Sequence, residues 1–287
     1  MPELPEVERV RMCLDSLLPG RRVIGLHRYR PGVTHAVRTP ASRGTGRAGP
    51  PATRAELLLG ARIVRLERVG KELAIHANDG RTICCHLGMS GQLLSLQPHA
   101  RMSRTDHVHI SWRFDDGSRL VFRDPRRFGG IWAFPTPACL LNTRWSHLGP
   151  DAASIRADVL DRRLSHTRRA IKAGLLDQRI VAGIGNIYAD ESLFVAGLHP
   201  LTPANRLGDA RTRLLATAIR TVLREAIRSD GSTLRDFVDP LGRPGRTQFT
   251  HRVYGRGGVP CLRCGSTLLT TRIAQRMTVF CPVCQHP

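Results

Sequence analysis

The sequence predicts an α+β multidomain protein: a leading helix and a β-sandwich, then a helical domain, then a short cysteine-bearing β-hairpin. Three observations predict it. Period-two alternation of apolar and polar residues dominates up to about residue 135, helical periodicity replaces it from about residue 151, and four of the eight cysteines fall in the last 27 residues. A chain of 287 residues also exceeds what one small core needs. The implied domains are 1–140, 150–240 and 250–287, with the first boundary between about 136 and 157.

The leading helix is expected over residues 3–18. Leu4, Val7, Val10, Leu14 and Leu17 recur at helical spacing, Glu3, Glu6 and Glu8 suit the positive end of the helix dipole, and Gly20 is a stop signal. Strands follow. Val108, Ile110, Trp112 and Phe114 alternate with His109, Ser111 and Arg113, which gives one buried face, and Asp115-Asp116-Gly117 turns the chain into Leu120-Val121-Phe122. Asn78-Asp79-Gly80 makes the same kind of turn between Leu73-Ala74-Ile75 and Ile83-Cys84. Residues 28–54 interrupt the pattern with Arg28, Arg30, Arg38, Arg43, Arg47 and Arg54, no acid, and many Pro and Gly, which reads as a basic loop that either touches DNA non-specifically or is an unselected insertion. Farther on, Val181–Tyr188 is a Gly-containing turn between helical stretches, and Leu214, Leu215, Ala218, Ile219, Val222, Leu223 and Ile227 mark one long amphipathic helix.

Charge narrows the function. There are 44 Lys+Arg against 23 Asp+Glu, a net charge of +21 and a pI near 11.3. A GC-rich genome explains Arg in place of Lys but not the excess of cations over anions. A polyanion partner does, because each phosphate contact releases counterions. No apolar run reaches the ~18 residues of a membrane span, and the acidic start, Met1-Pro2-Glu3-Leu4-Pro5-Glu6, has no secretory-signal pattern. A cytoplasmic, nucleoid-associated monomer is expected. In that reducing setting Cys13, Cys84, Cys85 and Cys139, which have no ligand spacing, read as buried packing residues.

The other four cysteines form Cys261-x-x-Cys264 and Cys281-x-x-Cys284, 16 residues apart, the spacing of a four-thiolate zinc site. Four thiolates close the coordination shell and leave no position for water, so one structural zinc ion is expected. The hairpin between the pairs would present Arg272 and Arg276, a basic tip suited to nucleic acid but not diagnostic of an enzyme. The amino terminus bears on that question. Removal of Met1 would leave Pro2 with a free secondary amine, a nucleophile able to form an iminium with a sugar aldehyde carbon, and Glu3 could serve as a general acid. A Pro-Glu start equally suits the first turn of a helix.

The motifs taken together decide more. Met1-Pro2-Glu3-Leu4-Pro5-Glu6-Val7-Glu8, His86-Leu87-Gly88-Met89-Ser90-Gly91, Asp124-Pro125-Arg126-Arg127-Phe128-Gly129, Gly183-Ile184-Gly185-Asn186-Ile187-Tyr188-Ala189-Asp190-Glu191 and the cysteine pairs occur in one order. This arrangement closely resembles the formamidopyrimidine-DNA glycosylase family over nearly the whole chain. The resemblance implies a helix-two-turns-helix element in the helical domain and double-stranded damaged DNA in a cleft between the two halves. It implies that Pro2 attacks the sugar C1′ and that Glu3 protonates the sugar or leaving group. Lys71, in the Gly70-Lys71 turn, would bind phosphate and transfer protons in β-elimination. Arg276 would grip the lesion phosphate and assist δ-elimination, Asn186 would be a phosphate ligand, and Lys172 a further DNA contact. A base must leave the duplex to be reached. Met89 and Phe128 would fill the vacated stack, and Arg126 would bond the widowed partner base, typically cytosine.

Several positions depart from the family pattern. Arg104-Thr105-Asp106-His107 puts Thr105 where relatives carry a DNA-contacting histidine, and Thr167, beside Arg168, occupies a second basic position. Gly242-Arg243-Pro244-Gly245-Arg246-Thr247-Gln248-Phe249 replaces the usual lesion-covering loop, where base choice is expected to be set. The expected activity is excision of oxidised purines, 8-oxoguanine and formamidopyrimidines, followed by β,δ-elimination. Two alternatives stay open: an endonuclease VIII-like enzyme preferring oxidised pyrimidines, and a non-catalytic damaged-DNA-binding protein on the same scaffold.

Overall fold

The computed structural model describes residues 2–29, 32–37, 50–100 and 106–286. Met1, Arg30, Arg38, Arg43 and Arg47 of the basic segment, and Arg104 with Thr105, lie outside the described residues. The chain divides into two compact units: 1–2, 6–147 and 232–245 form the first, and 3–5, 148–231 and 246–287 the second.

Helix α1 (Leu4–Asp15) stops short of the expected residue 18. The amides of Leu17 and Leu18 both donate to the Leu14 carbonyl (3.0 and 2.8 Å), and Gly20 follows at φ 87°, a left-handed position that ends the turn. In the first unit nine strands follow: β1 (Val23–Arg28), β2 (Thr34–Ala36), β3 (Ile63–Val69), β4 (Glu72–Ala77), β5 (Thr82–His86), β6 (Gln92–Leu96), β7 (Val108–Phe114), β8 (Arg119–Arg123) and β9 (Gly130–Phe134). They form two sheets, β1-β7-β8-β6 and β2-β9-β5-β4-β3, antiparallel throughout except for the parallel β2–β9 pair. In β7, Ile110, Trp112 and Phe114 enter a core shared with Leu66, Leu73, Ile83 and Ile131 of the other sheet, and α1 adds Val7, Val10 and Leu14. His109 and Ser111 of the opposite face are buried as well and Val108 is half-buried, so the single buried face expected holds only in part. Each such side chain contributes about 1.5–3 kcal/mol on burial. The buried Trp112 indole donates to the Leu57 carbonyl at 2.9 Å, so its polar edge is satisfied.

Helix α2 (Pro137–Thr143) closes the unit; Thr136 caps it by accepting from the Cys139 amide, and a proline occupies its first turn. Just beyond, Arg144 and Trp145 hold the buried Glu72 carboxylate at 2.6 and 3.0 Å. Cys84 donates its thiol to the same carboxylate at 3.4 Å. Burial pushes the Cys85 thiol up to about 12 and the Cys84 thiol well above its ordinary value. Both are inert packing residues, as is buried Cys13, whereas Cys139 is only half-buried. The stretch after the last long helix, 232–245, also belongs to this unit: Glu6 accepts from the Ser232 amide (2.7 Å) and Arg9 pairs with buried Asp239 (2.8 Å).

The second unit holds α3 (Ala157–Leu164), α4 (Ile171–Leu176), α5 (Asn186–Val195), α6 (Gly208–Arg228) and the hairpin β10 (Leu269–Ile273) with β11 (Arg276–Phe280). Helix α5 is buried on all sides from Ile187 to Phe194. Helix α6 buries Leu215, Ala218, Ile219, Val222 and Leu223, but Leu214, which the apolar pattern had included, faces solvent one residue off that stripe. Ala274 and Gln275, at φ 47° and 59°, join β10 to β11 in the doubly left-handed turn that matches strand twist. No helix among the described residues is long and apolar enough to cross a membrane.

Candidate functional site

In the second unit the expected residues converge on the start of α5. The Glu3 carboxylate, 2% exposed, accepts from the backbone amides of Gly185 (2.7 Å), Ile187 (2.9 Å) and Tyr188 (3.3 Å). These are orphan donors of a helix N-terminus, where the dipole favours an anion. The approach demands glycine: a Cβ at Gly185 would lie 2.4 Å from the Glu3 carboxyl carbon. Pro2, directly before Glu3 in the chain, is buried.

The next residue of α5, Asn186, donates from Nδ2 to the Met277 carbonyl at 2.9 Å. Lys172 reaches the same hairpin. Its Nζ donates to Met277 O (3.0 Å) and Thr278 Oγ1 (2.7 Å) and pairs with Asp190 at 2.6 Å, and the side chain is 0% exposed. Asp190 in turn accepts from the Val279 amide at 3.1 Å. Burial lowers the Lys172 pKa and raises that of Asp190 to about 6, and their mutual attraction opposes both shifts. The ammonium of Lys172, expected to contact DNA, is bonded here to three protein acceptors beside Arg276. Arg276 itself is exposed at the start of β11, with Arg272 exposed on β10.

Below the hairpin tip, the sulfurs of Cys261, Cys264, Cys281 and Cys284 all lie within 4.8 Å of one another. Zn–S bonds of about 2.3 Å in a tetrahedron require S···S separations of about 3.8 Å, so the donor set fits one zinc ion. The amides of Arg263 and Cys284 donate to Cys261 Sγ and Cys281 Sγ at 3.4 and 3.3 Å, fixing the knuckles.

In the first unit Met89 (37% exposed) and Phe128 (55%) stand out of the fold rather than in its core, and the Arg126 guanidinium lies 4.8 Å from the Phe128 ring centre. Two loops carry them, and one buried carboxylate ties the loops together. Asp124 accepts from Ser90 Oγ (2.6 Å) and from the amides of Gly129 (2.7 Å) and Arg126 (3.3 Å). A Cβ at Gly88 would lie 2.4 Å from the Phe128 carbonyl carbon and the Gly129 amide, so only glycine lets the loops meet. Lys71 sits buried in the β3–β4 turn beside the clamped Glu72, close enough that its charge helps lower the His86 pKa, which burial lowers most. The roles of Asp124 and Ser90 are not evident in the motifs, where an Asp before Pro125 and a Ser after Met89 are the available signals. Half-buried Thr167 accepts from exposed Arg169 (3.2 Å), and Arg168 between them is exposed. In the altered loop Phe249 is 80% exposed.

A zinc hairpin joined to this helical unit, after a Pro-Glu helix and a β-sandwich, defines a class of zinc-finger DNA-binding proteins. Family models specify it further: a formamidopyrimidine-DNA glycosylase N-terminal domain over residues 1–131, an H2TH domain of the same enzymes over 148–238, and a zinc finger found in FPG and IleRS over 258–287. The chain is 43% identical to a formamidopyrimidine-DNA glycosylase of Alkalilimnicola ehrlichii, with all of both chains covered. It is 41% identical to that of Chloroflexus aurantiacus, with 99% and 98% covered. Among solved structures it is similar to Lactococcus lactis Fpg in complex with abasic-site DNA (TM-score 0.85, 31% identity, 99% of this chain and 100% of that one covered). It is also similar to the MutM protein of Thermus thermophilus (TM-score 0.82, 36% identity, both chains fully covered). The chain belongs to the formamidopyrimidine-DNA glycosylase family.

Proposed function

We propose that the protein is a bifunctional DNA glycosylase and AP lyase that removes oxidised purines from duplex DNA. The observation that carries the reading is the seat of Glu3, whose carboxylate is fixed by three amides at the α5 N-terminus one residue after Pro2. Such a seat is a costly use of a buried acid for packing alone and an effective way to hold a group in register with its neighbour.

The Pro2 nitrogen attacks C1′ of the flipped-out nucleotide and the C1′–N bond to the damaged base breaks; the Glu3 carboxylate takes the proton that the Pro2 nitrogen sheds and passes it to the ring oxygen, so that C1′–O4′ opens to an iminium. The resulting iminium acidifies C2′. Loss of that proton breaks the C3′–O bond (β-elimination), and a second elimination breaks C5′–O, leaving phosphates at both ends of a one-nucleotide gap. Lys71 binds phosphate and transfers protons in the first elimination, while Arg276 holds the lesion phosphate for the second. Lys172 and Asn186 keep Arg276 in place by fixing the Met277 carbonyl. The zinc is structural and takes part in no bond-breaking step. Phe128 and Met89 fill the vacated stack and Arg126 reads the opposite base, at a duplex-deformation cost of a few kcal/mol. The site acts in the cytoplasm, on nucleoid DNA, as a monomer.

Borohydride trapping on duplexes carrying 8-oxoguanine or thymine glycol tests the reading. Wild type is expected to form a covalent adduct, faster on 8-oxoguanine, and Pro2→Gly none. Equal trapping by Pro2→Gly overturns the mechanism, and faster cutting at thymine glycol overturns the purine assignment in favour of the pyrimidine-directed alternative. No adduct from wild type on any lesion leaves a non-catalytic damage-binding protein.

A further inference from the structure

The arginine-rich segment singled out in the sequence has no part in the chemistry above, yet its described ends border a groove. We propose that this groove, on the outer face of the β1-β7-β8 sheet, is an auxiliary site for a single strand of DNA.

The groove has a volume of about 460 Å³ and is lined by His27, Tyr29, Arg54, Arg113 and Arg119, with no carboxylate among its lining residues. Gly25, Arg113 and Arg119 form one row across three neighbouring strands, Gly25 opposite Arg113 and Arg113 opposite Arg119. Like charges directly opposite across strands repel, and a bound anion removes that repulsion. Other arginines in this unit are engaged: Arg9, Arg21, Arg68 and Arg144 pair with acids, and Arg28 and Arg123 donate to backbone carbonyls. Arg54 and Arg113 form no ion pair or side-chain hydrogen bond with any of the described residues; Arg119 donates from one end nitrogen to the Ala100 carbonyl, while its buried Nε has no hydrogen-bond partner among them. Gly25 makes room for this: a Cβ there would sit 3.1 Å from Arg113 Nε and 3.5 Å from Nη2, so the arginine packs where a side chain would otherwise stand.

The aromatic half of the groove selects the anion. The His27 and Tyr29 rings lie 4.2 Å apart, and Tyr29 is exposed at the rim. Free guanidinium groups that track phosphates, beside exposed rings on which bases stack, make up the general recognition chemistry of single strands. An acidic peptide would satisfy the arginines but leave the rings without a role. The groove is also separate from the lesion-reading loop. Arg119 begins β8, whereas Asp124 and Arg126 follow its end, so about 13 Å of extended strand lies between them.

The test is fluorescence anisotropy of a labelled twelve-residue oligothymidylate with the full-length, zinc-loaded protein, in the presence of saturating unlabelled abasic-site duplex. The oligothymidylate is expected to bind alongside the duplex. Arg54→Gln with Arg113→Gln should weaken it about tenfold and reduce the log Kd versus log salt slope by about 1.4, two phosphates at 0.7 each. Tyr29→Ala should weaken it at least about fivefold. Cleavage of lesion duplex and the melting temperature should stay at wild-type values in both variants. Complete displacement of the oligothymidylate by the duplex overturns the proposal. So does an equal loss from Arg162→Gln with Arg179→Gln, which removes the same charge elsewhere. Loss of polyglutamate binding with unchanged oligothymidylate binding in the Arg54/Arg113 variant overturns it in favour of a protein partner.

Discussion

Replacing Gly185 with alanine tests the seat of Glu3 directly. The new Cβ would lie 2.4 Å from the Glu3 carboxyl carbon, 2.6 Å from Oε1 and 2.8 Å from Cγ. These atoms belong to the end of a flexible side chain, so the backbone need not move; the carboxylate leaves. The cost is then the three amide hydrogen bonds at 2.7, 2.9 and 3.3 Å, the last the weakest. Hydrogen bonds to charged groups contribute about 1.5–3 kcal/mol net each, and water entering the opened helix end recovers part of that. A loss of about 3–4 kcal/mol is expected, or roughly 10 °C in melting temperature for a unit of this size. Calorimetry and borohydride trapping should both respond, with adduct formation falling at least about a hundredfold because the acid is displaced. A double-mutant cycle isolates the cause. If the contact with Glu3 is the whole effect, Gly185→Ala costs no further stability in a Glu3→Ala background. Additive costs in the cycle, or a Gly185→Ala protein that melts and traps as wild type, refute the reasoning.

Ser90→Ala should cost about 1 kcal/mol in urea unfolding and weaken binding to lesion duplex, because Asp124 loses the 2.6 Å bond that ties the Met89 loop to the Arg126–Phe128 loop; trapping on single-stranded abasic DNA, which has no partner base to read, should be unchanged. Chelation of zinc should release four titratable thiols and abolish duplex binding, since the four sulfurs within 4.8 Å hold the hairpin that presents Arg276; unchanged binding with the metal confirmed absent contradicts the finger's role. The Arg179 guanidinium, with Arg169 beside it, holds the Asp177 carboxyl well below its ordinary 3.8. A depressed folded value means stability present above pH ~4 and lost as pH falls. Asp177→Asn should therefore melt below wild type at neutral pH, with the gap closing in acid; curves parallel down to pH 2 contradict this.

The sequence by itself determined the elements and the chemistry-bearing residue types. Period two marked β7 as a strand and its apolar face as core, the cysteine spacing marked the metal set, and the order of motifs marked the family, because each depends on spacing along the chain. Tertiary structure decided what those residues face. The sequence marks Lys172 only as a cation; that three acceptors contributed by α5 and β11 bond its ammonium is decided by the fold, because burial is not a property of local pattern. Met89 and Phe128 look like core residues by type, yet they project because Asp124 and Gly88 draw their loops together across 34 to 40 residues of chain. Gly185 reads as a turn residue, whereas its reason is a carboxylate 182 positions away that arrives where a side chain would otherwise be. Spacing is encoded locally and is legible; the partner that satisfies a buried charge or fills the place of a missing Cβ comes from distant chain, and only the folded arrangement names it.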